Sequence, residues 1–278
     1  MPELPELQAH AERLEAEFGG AELAGFRPIT FTALKTYAPD PATALGTKLI
    51  GVGRRGKYLL ATFGELTFVV HLMQGGRLKP DEKQSAKPRG GIARWTFADG
   101  RALLLTEPGS ERKAGVWVMA GDVETQDPLT GLGPDADTLD AAGWRSVTAD
   151  HSKRLHGLLR DQRIVAGMGR RLANEVCHRA QLSPFANASK LTDAHIESLA
   201  DAVTACIDES LVFERGNDEM VRSAERHGAV HHRAGEACPV CGDAVRAVEY
   251  RAYTVAYCPT CQTDGKVLAD NTTSKFLK

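Results

Sequence analysis

The spacing of apolar residues divides the chain into segments of different secondary structure. Residues 5–18 predict an opening helix, because Pro5 falls in its first turn and apolar side chains recur at helical spacing at Leu7, Ala11, Leu14 and Phe18. Short runs typical of strands follow at Lys48–Val52, Tyr58–Phe63, Leu66–Leu72, Arg94–Phe97, Arg101–Thr106 and Gly115–Met119. Asp99-Gly100 predicts a hairpin turn between two of them, so this part of the chain is expected to form an antiparallel sandwich.

The pattern changes after residue 121. A helical pattern covers about 140–213 and is broken by Gly216 and Asn217. We therefore predict an α+β protein in which an amino-terminal helix and an antiparallel β-sandwich precede a helical domain and a small carboxy-terminal module. The predicted segments are a sandwich domain at 1–121, a Pro- and Asp-rich linker at 122–139, a helical domain at 140–235, a ribbon at 236–264 and a polar tail at 265–278.

Four of the six cysteines form one pattern, Cys238-x2-Cys241-x16-Cys258-x2-Cys261. Each CxxC pair places two sulfur atoms on one ion, so this spacing predicts a zinc ribbon with four thiolate ligands. Four protein ligands leave no open position for water, which indicates one structural zinc ion. The alternative, two disulfide bonds, is typical of secreted proteins. The remaining cysteines, Cys177 and Cys206, lie in helical patterns and are expected to be buried.

Composition and charge narrow the class of protein. The 278 residues are 42% hydrophobic and carry a formal net charge of -2, with no long apolar run and no basic-then-apolar leader. We therefore expect a soluble cytoplasmic protein without a membrane span or a signal peptide. No global positive field attracts nucleic acid, but residues 151–180 carry seven Lys and Arg against two acidic residues. Such a cluster indicates either phosphate contact or a solvated helix face.

The first six residues, Met1-Pro2-Glu3-Leu4-Pro5-Glu6, carry candidate chemistry. If Met1 is removed, Pro2 becomes a terminal secondary amine, and α-amino groups have a reference pKa of roughly 7.7 to 8.0. Such an amine attacks an aldehyde carbon to give an iminium ion, with Glu3 close enough to move protons. Glu6 lies near the first helical turn, where it can accept backbone N–H groups. The alternative is the ordinary start of a helix.

Four motifs resemble those of the formamidopyrimidine-DNA glycosylase and endonuclease VIII family. The amino terminus is the first, and the segment 54–60, Arg-Arg-Gly-Lys-Tyr-Leu-Leu, is similar to the hairpin that carries the family's active-site lysine. Residues 161–175, with Asp161-Gln162, Gly167-Met168-Gly169 and Ala173-Asn174-Glu175, resemble its helix-two-turn-helix. The four cysteines resemble its zinc finger. The resemblance covers nearly the whole chain except its last fifteen or so residues.

The resemblance implies a role for individual residues. Pro2 would displace the damaged base at C1′ and form a Schiff base, Glu3 and Glu6 would serve the same site, and Lys57 would contact phosphate and assist elimination. The alternative for Lys57 is an exposed lysine at a strand end. Arg171 would help to hold the DNA backbone, and Glu175 would brace the interior near the active site. The residues expected to contact DNA are His71, Gln74, Arg112, Lys113, Lys153, Gly167, Gly169, Arg170 and Arg251.

The chain departs from the family pattern at several of these positions. Arg170 stands where the family usually has asparagine, and Tyr253 stands where the ribbon usually presents an arginine to phosphate. If both lie on one strand, Arg251 would share the face of Tyr253 and replace that arginine. Gln74 and Ala114 stand at positions that usually fill the gap left by a flipped base, and Ala114 is too small to do so.

The resemblance implies a DNA repair enzyme. We expect a bifunctional DNA glycosylase and abasic-site lyase that removes oxidised or ring-opened bases through a Pro2 Schiff base and β-elimination, with δ-elimination open because of Tyr253. The alternative is a protein that binds damaged or branched DNA with little or no excision. Expected partners are damaged DNA and zinc, without a membrane or a small-molecule cofactor, and the protein is expected to be monomeric and nucleoid-associated.

Overall fold

A computed structural model describes residues 1–109, 112–221, 225–251 and 253–268. The chain divides into two compact units, Met1–Gly131 and Leu132–Lys278. This division falls inside the segment 122–139, for which the sequence predicts a linker. Among the described residues, no helix is both long enough and apolar enough to cross a membrane.

The first unit opens with helix α1, Leu4–Phe18. Leu7, Leu14 and Phe18 lie on its buried face, as the apolar spacing predicts. Helix α1 packs mainly on strand β2, Leu49–Arg55. The prediction of an opening helix is confirmed, and its first turn places residues 2–6 against the core of this unit.

In the described part of the first unit, eight strands form two antiparallel sheets of four strands each. One sheet has the order β1-β6-β7-β5, with bounds Leu23–Pro28, Gly91–Phe97, Ala102–Thr106 and Arg77–Pro80. The other has the order β2-β3-β4-β8, which adds Tyr58–Phe63, Leu66–His71 and Gly115–Ala120 to β2. Strands β1 and β5 were not predicted, because each ends in proline and is exposed over much of its length, and pairing with β6 or β7 rather than its own pattern makes it a strand.

Aromatic side chains join the two sheets. The ring of Phe68 on β4 lies 5.1 Å from that of Phe26 on β1 and 6.0 Å from that of Trp95 on β6. Contacts of this kind between facing sheets define a sandwich, so the predicted architecture is confirmed. The predicted turn at Asp99-Gly100 is also present, with Gly100 at a φ of +87°.

Among the described residues, the second unit contains four α-helices before the ribbon. Their bounds are Ala141–Ala149 for α2, Leu155–Leu159 for α3, Arg170–Arg179 for α4 and Asp193–Arg215 for α5. Helix α5 begins after Thr192, whose hydroxyl accepts the N–H of His195, and it ends before Gly216. The helical pattern and its predicted end are confirmed. The segment 160–169 connects α3 and α4 without helix.

The carboxy-terminal ribbon is an antiparallel pair, β9 at Arg246–Glu249 and β10 at Thr254–Tyr257, followed by the short helix α6 at Pro259–Gln262. Val230 and Val245 pack with Cys238 and Cys258 in its core. At the start of the predicted polar tail, the N–H of Leu268 donates to the Tyr257 hydroxyl at 2.7 Å. Residues 269–278 of that tail lie outside the described residues.

Candidate functional site

The amino-terminal site is built on the first turn of α1. Pro2 is buried, and the side chains of Glu3 and Glu6 are 6% and 4% exposed. The two acids form a capping box, in which a Glu6 carboxylate oxygen accepts the backbone N–H of Glu3 at 3.0 Å. This reciprocal contact satisfies N–H groups that a helix start otherwise leaves open. It also fixes Glu3 directly beside Pro2.

Lys57 lies in the tight turn between β2 and β3. Arg55 pairs with Tyr58 across the hairpin, and Gly56 adopts a φ of +54°, as such two-residue turns require. The Lys57 side chain is 9% exposed. The alternative of an exposed strand-end lysine is therefore wrong, because the turn directs this side chain into the protein.

His71 lies at the end of β4, next to the predicted catalytic groups. Burial, followed by the positive charges of Lys57 and of the chain's amino terminus, lowers the pKa of His71 to about 4. Both charges must lie close to the imidazole to act on it in this way. His71 Nδ1 accepts the N–H of Met73 at 3.1 Å, so the imidazole is neutral at pH 7 with its proton on Nε2. The fold therefore gathers His71, Lys57 and the amino terminus.

The loop before β8 carries two predicted DNA contacts. Glu107, which is buried, accepts the N–H groups of Lys113 and Ala114 at 2.6 and 2.7 Å. The side chains of Arg112 and Lys113 are exposed, whereas Ala114 is 1% exposed and points away from solvent. Sequence reasoning missed Glu107. The only sign of Glu107 in the sequence is its position, as an acidic residue directly after the apolar strand β7.

Gln74 is exposed and follows Met73, whose φ of +53° marks a tight turn after β4. A left-handed backbone at a residue other than glycine is uncommon and indicates that neighbouring contacts hold it. The Met73 N–H bond to His71 is one such contact. The structure thus presents Gln74 beside the end of the strand that carries His71.

In the second unit, the side chain of Gln162 holds the turn that contains Gly167 and Gly169, two of the residues expected to contact DNA. Its side-chain oxygen accepts the Gly167 N–H at 3.0 Å, and its amide nitrogen donates to the Met168 carbonyl at 2.8 Å. The N–H of Gly167 is therefore not open to a phosphate, because Gln162 already uses it, and the DNA contact expected at Gly167 stays a prediction. Gly169 is the residue that precedes α4.

The basic stretch contains both exposed and buried cations. Arg170 is half-buried at the start of α4, but Arg171 is 5% exposed and donates to the carbonyl of His227 at 2.8 Å. The expectation that Arg171 holds DNA is therefore wrong, since adjacent helical residues point in different directions. Lys153 is exposed and forms an ion pair with Asp161 at 2.6 Å.

Helix α4 holds the ribbon through three side chains. Glu175 accepts the backbone N–H groups of three consecutive residues at 2.6 to 3.1 Å, namely Ala229, Val230 and His231. Asn174 accepts the N–H of Ala256 at 3.2 Å. His178 lies 3.2 Å from the sulfur of Cys238 through its Nε2 atom. Glu175 thus braces the chain ahead of the ribbon.

The four predicted metal ligands lie together. The sulfur atoms of Cys238, Cys241, Cys258 and Cys261 are all within 4.8 Å of one another. Two measured separations are 3.9 Å and 3.4 Å, and all four cysteines are free rather than disulfide-bonded. Sulfur atoms at the corners of a tetrahedral zinc site are separated by about 3.8 Å. The cluster can therefore hold one metal ion.

The other two cysteines are buried, as predicted. Cys177 is 0% and Cys206 6% exposed. Burial raises the pKa of both thiols, that of Cys206 to about 12. Thiols held in this way stay protonated and unreactive at neutral pH.

Arg251 and Tyr253 do not share a strand. Strand β9 ends at Glu249 and β10 begins at Thr254, so both residues lie in the connecting turn, where the Tyr250 N–H donates to the Tyr253 carbonyl at 2.9 Å. The premise that Arg251 presents the same strand face as Tyr253 is wrong. The ribbon strands are four residues long and end before these positions. Arg251 is exposed and remains a predicted DNA contact.

Comparison with known proteins identifies the family. The amino-terminal domain of formamidopyrimidine-DNA glycosylases matches residues 1–117, and the helix-two-turn-helix domain of the same enzymes matches residues 130–221. The chain belongs to the formamidopyrimidine-DNA glycosylase family. It is a DNA glycosylase of base-excision repair, and abasic-site lyase activity is the known trait of this family.

Relatives and solved structures agree with this assignment. The chain is 32% identical to a formamidopyrimidine-DNA glycosylase of Geobacter metallireducens, over 95% of this chain and all of the relative. It is 38% identical to a formamidopyrimidine-DNA glycosylase-like protein of Mycobacterium tuberculosis, over 53% of this chain and 94% of the relative. The fold matches that of the Lactococcus lactis enzyme in complex with abasic-site DNA, with a TM-score of 0.83 and 20% identity over 94% of this chain and 99% of that one.

Proposed function

We propose that Pro2, freed by removal of Met1, is the nucleophile and Schiff-base residue of this glycosylase. The observation that carries this assignment is that the buried Lys57 directly precedes Tyr58, which pairs with His71 across β3 and β4, and that the charge of the amino terminus acts on the same imidazole. It supports an arrangement in which the predicted nucleophile and the predicted lysine serve one site. The buried capping box of Glu3 and Glu6 adds a carboxyl group beside the nucleophile.

The glycosylase step begins with the nucleotide flipped out of the duplex. The pyrrolidine nitrogen of Pro2 attacks C1′ of the deoxyribose, and the bond between C1′ and the base breaks. The base leaves with the bonding electrons and takes up the proton that the Pro2 nitrogen loses. Glu3 protonates the sugar ring oxygen, the ring opens and the nitrogen lone pair forms an iminium ion with C1′. Glu6 acts by holding Glu3 through the capping box rather than by reaching the sugar.

The lyase step uses the iminium ion as an electron sink. Loss of a proton from C2′ allows the bond between C3′ and the 3′ phosphate oxygen to break, which is β-elimination. The ammonium of Lys57 favours departure of the phosphate, because it lies close to the negative charge that develops there. His71, which is neutral, donates a hydrogen bond from Nε2 to the DNA and adds no charge to the site.

In this proposal the four cysteines hold one structural zinc ion. Their sulfur spacing is that of a tetrahedral site, and four protein ligands leave no position for substrate. The ion stabilises the ribbon, which buries Val230 and Val245 around Cys238 and Cys258. Because a ribbon of this size has a small core, we expect it to unfold without the metal.

The substrate that we propose is a DNA duplex with an oxidised pyrimidine, a ring-opened purine or an abasic site. The segment between Phe213 and Cys238 has no obvious match to the long loop that covers 8-oxoguanine in the guanine-directed branch of the family, and Arg215 to Asp218 are only a short substitute, which favours these lesions over 8-oxoguanine. A panel of duplexes with single defined lesions tests this choice. Excision of 8-oxoguanine alone would contradict it. The protein is proposed to act as a monomer.

A second candidate function is binding of damaged DNA without efficient excision. Two observations favour it, the buried Ala114 at a position that usually fills the gap of the flipped base, and Tyr253 in place of a phosphate-binding arginine. A binding protein shifts damaged duplex without strand scission, whereas the glycosylase cuts it.

Borohydride trapping on a duplex with one abasic site tests the main proposal. Borohydride reduces an iminium ion to a stable amine, so the wild-type protein is expected to form a covalent protein–DNA adduct. Pro2→Gly is expected to lose most of it. Mass spectrometry of the same preparation establishes whether Met1 is removed. A Met-processed wild-type protein that binds the duplex but neither traps nor cuts it would establish the second candidate instead.

A further inference from the structure

Four side chains of the second unit form a compact stack at the edge of the ribbon. The guanidinium carbon of Arg160 lies 3.9 Å from the ring centroid of Tyr253. The ring of Tyr250 stacks on Tyr253 with centroids 4.7 Å apart and planes at 13°. His156 of α3 lies near the same ring, with centroids 6.1 Å apart and planes at 16°. Residues from the helical segment and from the ribbon turn therefore meet at Tyr253.

The guanidinium carries the positive charge of this stack. His156 is 3% exposed, and burial, followed by the charges of Arg160 and His231, lowers its pKa to about 3, so it is neutral at pH 7. A cation held over an aromatic face is attracted by the ring quadrupole and keeps its donors directed outward at the ring's edge. Arg160 is half-exposed, so solvent and a ligand reach it.

Two other cations of the same basic stretch are neutralised by carboxylates. Lys153 pairs with Asp161 at 2.6 Å, and Arg179 pairs with Glu209 at 2.6 Å. Among the described residues, the Arg160 guanidinium has the Tyr253 ring as its contact and forms no ion pair with a carboxylate. Its five donors are thus available for an anion.

The backbone of Arg160 is fixed to the helix-two-turn-helix turn. The amide nitrogen of Gln162 donates to the Arg160 carbonyl at 3.0 Å and to the Met168 carbonyl at 2.8 Å. The side chain is held by Tyr253 and the main chain by Gln162. Because the side chain is already ordered, it loses less conformational entropy when a ligand binds.

We propose that Arg160 binds a backbone phosphate of the DNA and that Tyr253 is the platform that orients its guanidinium. This inference rests on the proposed function, since it needs DNA as the ligand. The ribbon lacks an arginine at position 253, and the stack places one from the helical segment at the same position. Tyr253 thereby contributes to phosphate binding through Arg160 rather than by direct contact.

Arg160→Met tests this assignment. The variant keeps an unbranched side chain, shorter than that of arginine, and removes its charge. Binding of a fluorescent duplex with a reduced abasic site, which cannot be cleaved, is measured by anisotropy at several salt concentrations. Loss of one phosphate contact is expected to weaken binding about tenfold and to reduce the slope of log K against log salt by about 0.9. Damaged and undamaged duplexes are expected to lose affinity equally, because a phosphate contact reads no base.

Two variants serve as controls. Arg145→Met removes an exposed arginine that pairs with Asp193 on the same unit, so it changes net charge equally and is expected to leave the slope unchanged. Arg160→Lys retains the cation and is expected to retain most of the slope while losing the bidentate geometry of a guanidinium. Zinc content and melting temperature establish that each variant is folded.

The platform is tested with Tyr253→Leu and Tyr253→Phe. Phenylalanine keeps the ring and is expected to bind as the wild type does, whereas leucine is expected to weaken binding about threefold with the slope retained. An Arg160→Met slope equal to that of the wild type would overturn the proposal, as would an equal loss in Arg145→Met. If the wild-type protein itself shows no salt-dependent binding of the duplex, the proposed function fails, which is a distinguishable result.

Discussion

The amino-terminal site and the basic region of the second unit hold their charges in different ways. Glu3, Glu6 and Lys57 are at most 9% exposed, and backbone and charged neighbours fix them. Lys153, by contrast, is half-exposed and bound by one surface carboxylate. Groups that make and break bonds need defined positions, whereas a phosphate accepts any cation within reach. We therefore expect that the residues of the amino-terminal site permit no replacement. In the basic region, a neighbouring cation can take over the role of a lost one.

Two departures from the family pattern lie at positions expected to bind phosphate, not at the amino-terminal site. Pro2, Glu3 and Lys57 match the family motifs, while Arg170 and Tyr253 stand at altered phosphate-binding positions. The attraction between a cation and a phosphate depends on distance more than on the atom that carries the charge. The loss of one arginine can therefore be offset by another from a different segment, as we propose for Arg160.

The largest expected effect comes from the amino-terminal site. Glu3→Gln removes the proposed proton donor and is expected to slow base excision by at least about a hundredfold, while Pro2→Gly is expected to remove most of the borohydride-trapped adduct. Single-turnover excision measures the first effect. The glutamine retains the shape of the side chain, so an unchanged melting temperature identifies a loss of chemistry. Excision at the wild-type rate by Glu3→Gln would contradict the expectation that the amino-terminal site permits no replacement.

The metal site is expected to show the next largest effect. In the proposed zinc site Cys238 is a thiolate and accepts only, so His178 Nε2, which lies 3.2 Å from its sulfur, would be the donor, and loss of such a partner costs about 10–100-fold in metal affinity. His178→Phe keeps a buried ring without the donor and is expected to release zinc faster to a chromophoric chelator. His195→Phe, at the exposed start of α5, is the surface control. Equal release rates in both variants would show that the bond does not stabilise the site.

A buried histidine of α1 is expected to make the first unit sensitive to acid. Burial, followed by the charge of Arg13, lowers the pKa of His10 to about 4, and its Nε2 donates to the Leu78 carbonyl at 2.8 Å. The unfolded chain takes up a proton as pH falls through 6.5, whereas the folded protein does so near pH 4. The stability that neutral His10 provides is therefore complete above pH 6.5 and is lost as pH falls, by at most about 3 kcal/mol.

His10→Gln checks this pH dependence. Glutamine retains a donor for the Leu78 carbonyl but does not titrate, so its free energy of unfolding is expected to fall less between pH 7 and pH 4.5. Urea unfolding at the two pH values measures the difference, with His227→Gln as an exposed control. The same pH dependence in His10→Gln and the wild type would rule out this histidine as the cause.

The smallest effect is expected at Lys153. Its charge is already paired with Asp161, and exposed pairs of this kind contribute about 0–1 kcal/mol. Lys153→Gln is therefore expected to change affinity for damaged duplex less than about threefold, as measured by anisotropy at moderate salt. A tenfold loss of affinity would show that Lys153 leaves Asp161 to bind a phosphate, and would support its role as a DNA contact.

The sequence predicted the elements whose signal is local. Helix α1, six of the eight sandwich strands, the Asp99-Gly100 turn and the end of α5 all follow from spacing or turn chemistry within a few residues. Strands β1 and β5 were missed because their pairing partners, rather than their own residues, make them strands. The cysteine spacing predicted the metal cluster, since two CxxC knuckles bring four sulfur atoms together.

Contacts between distant residues were decided by the tertiary structure alone. Spacing gave no sign that Glu107 anchors the Lys113 loop, that His178 reaches Cys238 or that Arg160 lies on Tyr253. These partners are six, 60 and 93 positions apart, respectively, and only packing brings the last two pairs together.

The amino-acid sequence by itself determined the order of the elements, the candidate nucleophile with its acids, and the metal ligands, because each depends on residue type and short spacing. The tertiary structure decided which charges are buried, which are paired and which face a ligand. It placed Arg171 inside and left Arg160 open, although both are arginines of one basic stretch. The physical reason is that burial and pairing depend on long-range packing, which a local pattern does not encode.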